Sequence, residues 1–175
     1  MSKNIVLTLT GHDKVGIVDN VTSLIAKHGG NVESSRMARL GGEFAMLVLI
    51  SMAENELAGL DNDFAQLRAE GYQVLLMPTE DEAGKYAGWL TYEIEVTGAD
   101  HEGIIREIAH QLASQGINIE SMDTSATPAP MSGTPLFMMK GIVLVPPKLN
   151  FHDWSDALED IGDRLNVNVV LVMVK

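Results

Sequence analysis

Residues 10–34 read TGHDKVGIVDNVTSLIAKHGGNVES, and residues 97–121 read TGADHEGIIREIAHQLASQGINIES. The two segments align without a gap at an offset of 87 residues, and ten of their 25 positions are identical. A period of 87 residues is too long for one unit of a solenoid, and it divides the chain almost in half. The sequence therefore predicts two copies of one small domain: residues 1–80, a linker at 81–88, and residues 89–175.

Both halves show the same order of hydrophobic patterns outside the repeated segment. Apolar residues recur at every second position where a half-buried strand is predicted, and at intervals of three and four where a helix is predicted. The predicted elements of the two copies are, in order, strands at 5–10 and 92–97, helices beginning at Ile17 and Ile104, strands at 31–40 and 118–126, strands at 43–52 and 136–145, helices with apolar stripes at 57–67 and 154–165, and strands at 72–77 and 167–174.

Glycine and proline residues mark the connections between these elements. Gly29 and Gly116 stand where a left-handed helix C-cap is required, and the pair at 41–42 suits a tight hairpin turn. In the second copy residues 127–135, TPAPMSGTP, lengthen that turn into a loop that we expect to be mobile. The order βαββαβ predicts an α+β fold of two ferredoxin-like domains, each a four-stranded antiparallel sheet with two helices on one face.

Two of the predicted strands are apolar at successive positions rather than at alternate ones. These are residues 45–50 and 169–174. Such runs indicate strands that are buried on both faces. We therefore expect either a homo-oligomer or two closely docked halves.

The composition excludes several classes of protein. The chain has 175 residues, 46% of them hydrophobic, and a net charge of −12, so it lacks the basic surface of a direct nucleic-acid binder. It has no cysteine, which excludes disulfides, thiolate catalysis and zinc sites with sulfur ligands. No segment has the hydrophobic pattern of a signal peptide or a membrane span, so we expect a soluble, cytoplasmic protein that does not bind membranes.

The repeated segment resembles a known regulatory module. Residues 11–18, GHDKVGIV, and more loosely residues 98–105, GADHEGII, are similar to the start of ACT domains, which are regulatory modules that bind amino acids. The chain as a whole resembles the glycine cleavage system transcriptional repressor family, most closely over residues 10–50. In that family, glycine availability is thought to control contact with a transcriptional activator, and the protein itself does not read DNA.

The resemblance also implies candidate ligand-binding positions. Ligand-binding ACT domains grip a small amino acid at an interface between domains, using the loop before the first helix and the start of the second strand. A loop that opens a helix offers backbone N–H groups to a carboxylate, and an asparagine amide can both donate and accept. The candidate residues are His12, Asp13, Gly16, Ile17, Asn31 and Val32 in the first copy, and Asp100, Gly103, Ile104, Asn118 and Ile119 in the second.

This sequence departs from its serine-binding relatives in the loop. They carry asparagine where Asp13 and Asp100 stand, and the usual proline before the motif glycine is replaced by Val15 and Glu102. A carboxylate at these positions repels the carboxylate of an amino acid but can hold its ammonium group.

Structural roles compete with ligand binding at the same residues. Asp13 and Asp100 suit helix N-caps, and Gly16 and Gly103 suit a close approach of helix and sheet. Asn31 and Asn118 follow a helix, where asparagine tolerates left-handed geometry.

Other polar and sulfur-containing residues have simpler interpretations. Arg36 and Arg39 are an odd number apart in a strand, so we expect them on opposite faces and not in one anion clamp. The ten methionines are mainly interpreted as core residues, although Met131, Met138 and Met139 could line an adaptable partner surface.

We interpret the chain as a non-catalytic, amino-acid-sensing regulator without a cofactor or a metal ion. The five histidines form no metal-binding pattern, and no nucleophile signature or phosphate-binding glycine loop is present. The expected ligand is a small amino acid, with glycine or serine favoured, and the expected partner is a protein such as a transcriptional activator. Two alternatives stay open: a structural dimerisation module, and a regulatory part of a metabolic enzyme such as formyltetrahydrofolate deformylase.

Overall fold

The structure is a computed structural model that describes residues 2–79, 84–128, 133 and 135–174. The chain divides into two compact units, Met1–Glu82 and Ala83–Lys175. The predicted linker at 81–88 lies partly outside the described residues, and its described part, 84–88, forms turns. The domain boundaries at residues 80 and 89 therefore stay predictions.

The first unit is a four-stranded antiparallel sheet with strand order β2-β3-β1-β4. The second unit repeats this topology with the order β6-β7-β5-β8. The predicted pair of ferredoxin-like βαββαβ domains is confirmed. The elements of the first unit are β1 (Ser2–His12), α1 (Ile17–Lys27), β2 (Asn31–Leu40), β3 (Glu43–Ala53), α2 (Leu57–Asp63), α3 (Ala65–Ala69) and β4 (Gln73–Thr79). Those of the second unit are β5 (Leu90–Ala99), α4 (Ile104–Ser114), β6 (Asn118–Pro128), β7 (Pro135–Val145), α5 (Phe151–Leu165) and β8 (Val167–Met173).

The second helix of the first unit differs from its prediction. The sequence predicts one continuous helix over 57–67, whereas the structure has a 3₁₀ turn at Glu54–Glu56 followed by the short helices α2 and α3. The segment between Gly59 and Asp63 is rich in glycine, aspartate and asparagine, which are poor helix formers. The apolar stripe is nevertheless kept, because Leu60, Phe64 and Leu67 are all buried.

The core of each unit lies between its helices and one face of its sheet, which we call the helix face. Alternate residues of the central strands point into it, as the sequence predicts. In the second unit Trp154 packs edge to face against Tyr92, with ring centroids 5.1 Å apart. The main core residues are Ile5, Leu7, Leu9, Met46, Val48, Ile50, Ile17, Val21 and Ile25 in the first unit, and Ile94, Val96, Met139, Val143, Ile104, Ile108, Leu112, Trp154 and Leu158 in the second.

The opposite face of each sheet, which we call the open face, remains accessible. Leu47 is 47% exposed, Leu75 is 52% exposed and Val172 is 54% exposed. Within each unit taken alone, no described residue covers this face. The expected homo-oligomer and its alternative, two closely docked halves, both stay predictions.

The hairpin of the second unit is longer than predicted. Strand β6 continues to Pro128 and β7 begins at Pro135, so regular pairing extends into the predicted mobile loop. Residues 129–132 and 134 of that loop, including Met131, lie outside the described residues. Met138 is 41% exposed, whereas Met139 is fully buried in the core, so Met139 cannot line a partner surface.

Candidate functional site

The loop between β1 and α1 is held against the β2–β3 hairpin of the first unit. The backbone N–H of Asp13 donates to the carbonyl of Gly42 at 3.1 Å. The hydroxyl of Tyr72 donates to the carbonyl of His12 at 3.0 Å, and Nδ1 of His12 lies 2.8 Å from Oε1 of Glu43. The candidate loop is thus attached to the sheet on both sides before α1 begins.

Gly11 explains why Tyr72 can reach this position. A Cβ atom on Gly11 would lie 2.5 Å from the Tyr72 ring, so only glycine lets the ring pack across the end of β1. In the second unit, a Cβ on the equivalent Gly98 would lie 2.7 Å from Val167. The repeated glycine before the loop is therefore a packing requirement, which the sequence analysis did not identify.

Gly16 is the N-cap of α1, and this corrects two predictions. Its φ of 89° is left-handed. Among the residues that the structure describes, no side chain caps the helix, and a Cβ on Gly16 would meet no atom within 4 Å. Asp13 is therefore not the N-cap, because the helix begins four residues after it. Glycine is needed here for its backbone geometry and not for a close approach of helix and sheet.

The second unit repeats this arrangement. Gly103 is the N-cap of α4 with a φ of 95°. No side chain in the described part of the chain caps that helix, and a Cβ on Gly103 would meet none of the described atoms within 4 Å. The N-cap prediction for Asp100 and the close-approach prediction for Gly103 are likewise wrong.

Arg39 lies beside Asp13. Its Nε is 3.7 Å from Oδ2 of Asp13, and the two side chains are 65% and 41% exposed. Arg36 pairs with Leu47 across the hairpin and Arg39 pairs with Phe44, so the odd spacing places the two arginines on opposite faces, as predicted. Sequence reasoning could not associate Arg39 with the candidate loop, since Arg39 and Asp13 are 26 residues apart in the chain.

Asn31 lies at the other end of the sheet from the loop. It pairs with Ser51, whereas the loop follows His12, which pairs with Glu43. Ser51 lies eight residue steps along β3 from Glu43, which at about 3.3 Å per step corresponds to about 26 Å. The structure therefore does not bring Asp13 and Asn31 of one unit together.

The side chain of Asn31 already has a partner. Its Nδ2 donates to Oε1 of Glu33 at 2.9 Å, and the hydroxyl of Ser51 donates to the same oxygen at 2.5 Å. These bonds, that from Ser51 foremost, lower the pKa of the Glu33 carboxyl below its usual value. Asn31 lies in extended backbone, so the predicted left-handed geometry is wrong, and of the described non-glycine residues only Asn166 has a positive φ.

A β-bulge explains the repeated Asn-x-Glu-Ser motif. The register of β2 against β3 shifts between Val32 and Ser34, and that of β6 against β7 shifts between Ile119 and Ser121. Each bulge contains the repeated glutamate, and bulges of this kind re-aim neighbouring side chains. Asn118 also lies in extended backbone. The residue opposite the asparagine differs between the units, since Asn118 pairs with Leu144 whereas Asn31 pairs with Ser51.

The apolar candidates separate into buried and accessible residues. Ile17 is 5% exposed and Ile104 is 1% exposed, so both side chains belong to the cores and do not face a ligand in the loops. Val32 and Ile119 are 38% and 36% exposed at the starts of β2 and β6.

The loop of each unit also contacts the end of its second helix through a basic residue. Nζ of Lys14 lies 3.3 Å from Oε2 of Glu70, which follows α3. At the equivalent position, Nε2 of His101 lies 2.7 Å from the carbonyl of Leu165 and Nδ1 lies 3.1 Å from the carbonyl of Glu102. These carbonyls, that of Leu165 foremost, raise the pKa of His101.

A second titratable cluster lies at the C-terminal end of α1. Nε2 of His28 is 2.9 Å from Oδ2 of Asp63, and Nδ1 is 3.3 Å from Oε2 of Glu56. Asp63 and Glu56 raise the pKa of His28, and Lys27 together with His28 lowers the pKa of Asp63. Because the ring is only 12% exposed and lies against Gly59, the cluster fastens α1 to α2.

A shallow cavity of about 380 Å³ adjoins the hairpin end of the first unit. It is lined by Thr10, Ala38, Leu40, Glu43 and Gln73, among others.

Within the residues described, no three His, Asp or Glu side chains are grouped so that they could hold a metal ion. No helix in that same part of the chain is long and apolar enough to cross a membrane.

The described geometry is that of a known family of domains. Residues 3–73 match the model of the ACT domain. The glycine cleavage system transcriptional repressor of Escherichia coli is 26% identical over 125 residues, which span 71% of this chain and 66% of that protein. A UPF0237 protein of Streptococcus mutans is 35% identical over 65 residues, which span 37% of this chain and 67% of that protein.

Two solved structures share the fold over the full length of the chain. A protein of unknown function from Galdieria sulphuraria has a TM-score of 0.84 and 31% identity, with 100% of both chains covered. A candidate glycine cleavage system transcriptional repressor has a TM-score of 0.72 and 23% identity, with 100% of this chain and 99% of that chain covered.

Proposed function

Because this chain is a tandem ACT-domain protein that resembles the glycine cleavage system transcriptional repressors, we propose that it senses a small amino acid and acts without catalysis. The observation that carries the proposal is the preformed loop between β1 and α1. Asp13 is accessible there, Gly16 opens the helix, and hydrogen bonds from Asp13 and Tyr72 hold the loop in place. Glycine and serine are the favoured ligands.

We propose further that a second copy of the chain completes the site. Asp13 and Asn31 lie at opposite ends of the sheet of one unit, which are about 26 Å apart along β3, so a ligand of a few atoms cannot bridge them within that unit. The loop of one copy and the start of β2 of another supply the two halves. This arrangement makes ligand binding depend on the expected homo-oligomer.

The response to the ligand is passed on by contact with a protein. The net charge of −12 opposes direct binding to the phosphates of DNA, whereas the similar Escherichia coli protein is named as a transcriptional repressor. A repressor that does not bind DNA must act on another protein. A transcriptional activator is the partner that we propose.

The proposal is tested by thermal unfolding of the full chain with each of the twenty amino acids. A ligand at one hundred times its Kd stabilises the folded state by about 2.7 kcal/mol, which is a measurable shift. We expect a selective shift with glycine or serine, and we expect Asn31→Ala to abolish it while the fold is kept.

Asn118→Ala tests the same position in the second unit, where Asn118 pairs with Leu144 instead of Ser51. A response that is lost in this variant and kept in Asn31→Ala would place the site in the second unit instead of the first. A normal response of the Asn31→Ala variant would refute the site, and no shift with any amino acid would refute the sensing function.

The alternative function is a structural dimerisation module. The accessible apolar side chains on the open faces, among them Leu47 and Val172, favour it. A module of this kind would show an unfolding midpoint that rises with protein concentration and no shift with any amino acid.

A further inference from the structure

The first unit places two opposite charges side by side at the proposed site. Asp13 comes from the loop after β1, and Arg39 comes from the end of β2. Both groups are accessible, and the closest approach joins Nε to Oδ2 at 3.7 Å. The hydrogen bond from the backbone of Asp13 to Gly42 ties the loop to the hairpin that carries Arg39.

The pair keeps most of its capacity to bind other groups. At 3.7 Å the two side chains attract each other but are beyond the distance of a good hydrogen bond. A guanidinium has five N–H donors and a carboxylate has about four acceptor positions, so each can bind a further partner. Glu43, the nearby carboxylate of the hairpin, is paired with His12 at 2.8 Å.

An α-amino acid matches this arrangement. Its ammonium and carboxylate groups are attached to the same carbon atom, so the groups that bind them must be opposite in charge and adjacent. A guanidinium can hold a carboxylate through two parallel hydrogen bonds, and an aspartate can accept from an ammonium. We infer that Arg39 binds the carboxylate and Asp13 the ammonium group of a zwitterionic α-amino acid, and that Arg39 therefore determines ligand specificity.

The second unit lacks the cation. The position equivalent to Arg39 is Ala126, which pairs with Phe137. The connection at 127–135 contains no lysine or arginine, and His101 in the loop is bound to the carbonyls of Leu165 and Glu102. Asp100 therefore has no partner charge from β6, and only the first unit recognises a zwitterion in this way.

This inference rests on the proposed amino-acid sensing and is tested by calorimetric titration of the full chain. The probes are glycine and L-serine, their amides, which lack the carboxylate, and N-acetylglycine, which lacks the ammonium group. We expect the wild-type chain to bind the free amino acid at least tenfold more tightly than either kind of derivative. In Arg39→Ala we expect the free amino acid to bind at least tenfold more weakly, with the amide unchanged.

Arg36→Ala is the matched control, because Arg36 lies on the same strand with its side chain on the opposite face. It should bind the free amino acid like the wild-type chain. Both variants remove an exposed side chain, so their unfolding midpoints should stay close to that of the wild type.

The outcomes separate the inference from the function on which it rests. If the wild-type chain binds glycine or serine and Arg39→Ala binds it equally well, the role of Arg39 is refuted and the sensing function stands. If the amides bind the wild-type chain as tightly as the free amino acids, the role of Arg39 is also refuted and the sensing function stands. If no amino acid binds the wild-type chain, both are refuted.

Discussion

His101 is held by two hydrogen-bond acceptors at once. Both ring nitrogens lie near backbone carbonyls, and a carbonyl cannot donate, so both nitrogens must carry a proton for both bonds to form. Only the charged imidazolium satisfies this condition. The raised pKa of His101 has the same physical origin.

This geometry predicts a loss of stability of the second unit as the pH rises. A group whose pKa is higher in the folded state stabilises fully below its unfolded pKa of 6.5, and this contribution disappears as the pH passes the folded pKa. The unfolding midpoint of the second unit should therefore fall as the pH rises above 6.5. His101→Ala should flatten this dependence, which is measured by thermal unfolding at several pH values, followed by the fluorescence of Trp89 and Trp154, which both belong to the second unit.

His110 provides the control, since it is exposed on α4 of the same unit. His110→Ala should keep the pH dependence of the wild-type chain. A steep dependence that persists in His101→Ala would show that another group is responsible.

The sequence predicts some residues of the candidate site and not others. The repeat identified Asp13 and Gly16 as candidates, because identical residues at equivalent positions stand out in one sequence. Arg39 and Tyr72 could not be found this way, since Ala126 replaces the first and Val167 the second in the other copy. Their association with the loop depends on strand pairing, which brings distant parts of the chain together.

At the scale of elements, the start of α1 depends on the backbone of one glycine. Gly16 has a left-handed φ of 89°, and a Cβ added there would meet no described atom within 4 Å. A side chain at this position would therefore strain the backbone without causing a steric clash. Gly16→Ala should lower the free energy of unfolding by about 1 to 2 kcal/mol. Urea denaturation measures this change.

Gly42→Ala is the appropriate comparison, because a Cβ on Gly42 also meets nothing within 4 Å and Gly42 does not have a positive φ. Its effect should be much smaller. Equal losses in the two variants would mean that the strain at Gly16 is not the cause.

The bulges and the helix break that the sequence failed to predict depend on properties that the hydrophobic period does not record. The bulges at Glu33 and Glu120 depend on pairing with β3 and β7, and the break at Phe64 depends on weak helix formers whose effect is small at each position. The hydrophobic period identified every other strand and helix, because burial of one face determines that period. Local propensity and tertiary pairing are not visible in it.

At the scale of the molecule, each unit has its own set of buried residues. The core of the first unit includes Leu7 and that of the second includes Ile94, and both side chains are fully buried. A core that is complete within one unit can support its own cooperative unfolding. Both tryptophans, Trp89 and Trp154, belong to the second unit, so their fluorescence reports on that unit alone.

Leu7→Ala should therefore destabilise the first unit by about 2 to 5 kcal/mol, the usual cost of removing a buried leucine side chain. The transition followed by circular dichroism should then separate into two steps, while the transition followed by tryptophan fluorescence keeps its midpoint. Ile94→Ala should instead destabilise the second unit and lower the midpoint of the fluorescence transition. If Leu7→Ala moves both signals together, the chain unfolds as a single cooperative unit, and the two cores are coupled in stability although each is complete within its own unit.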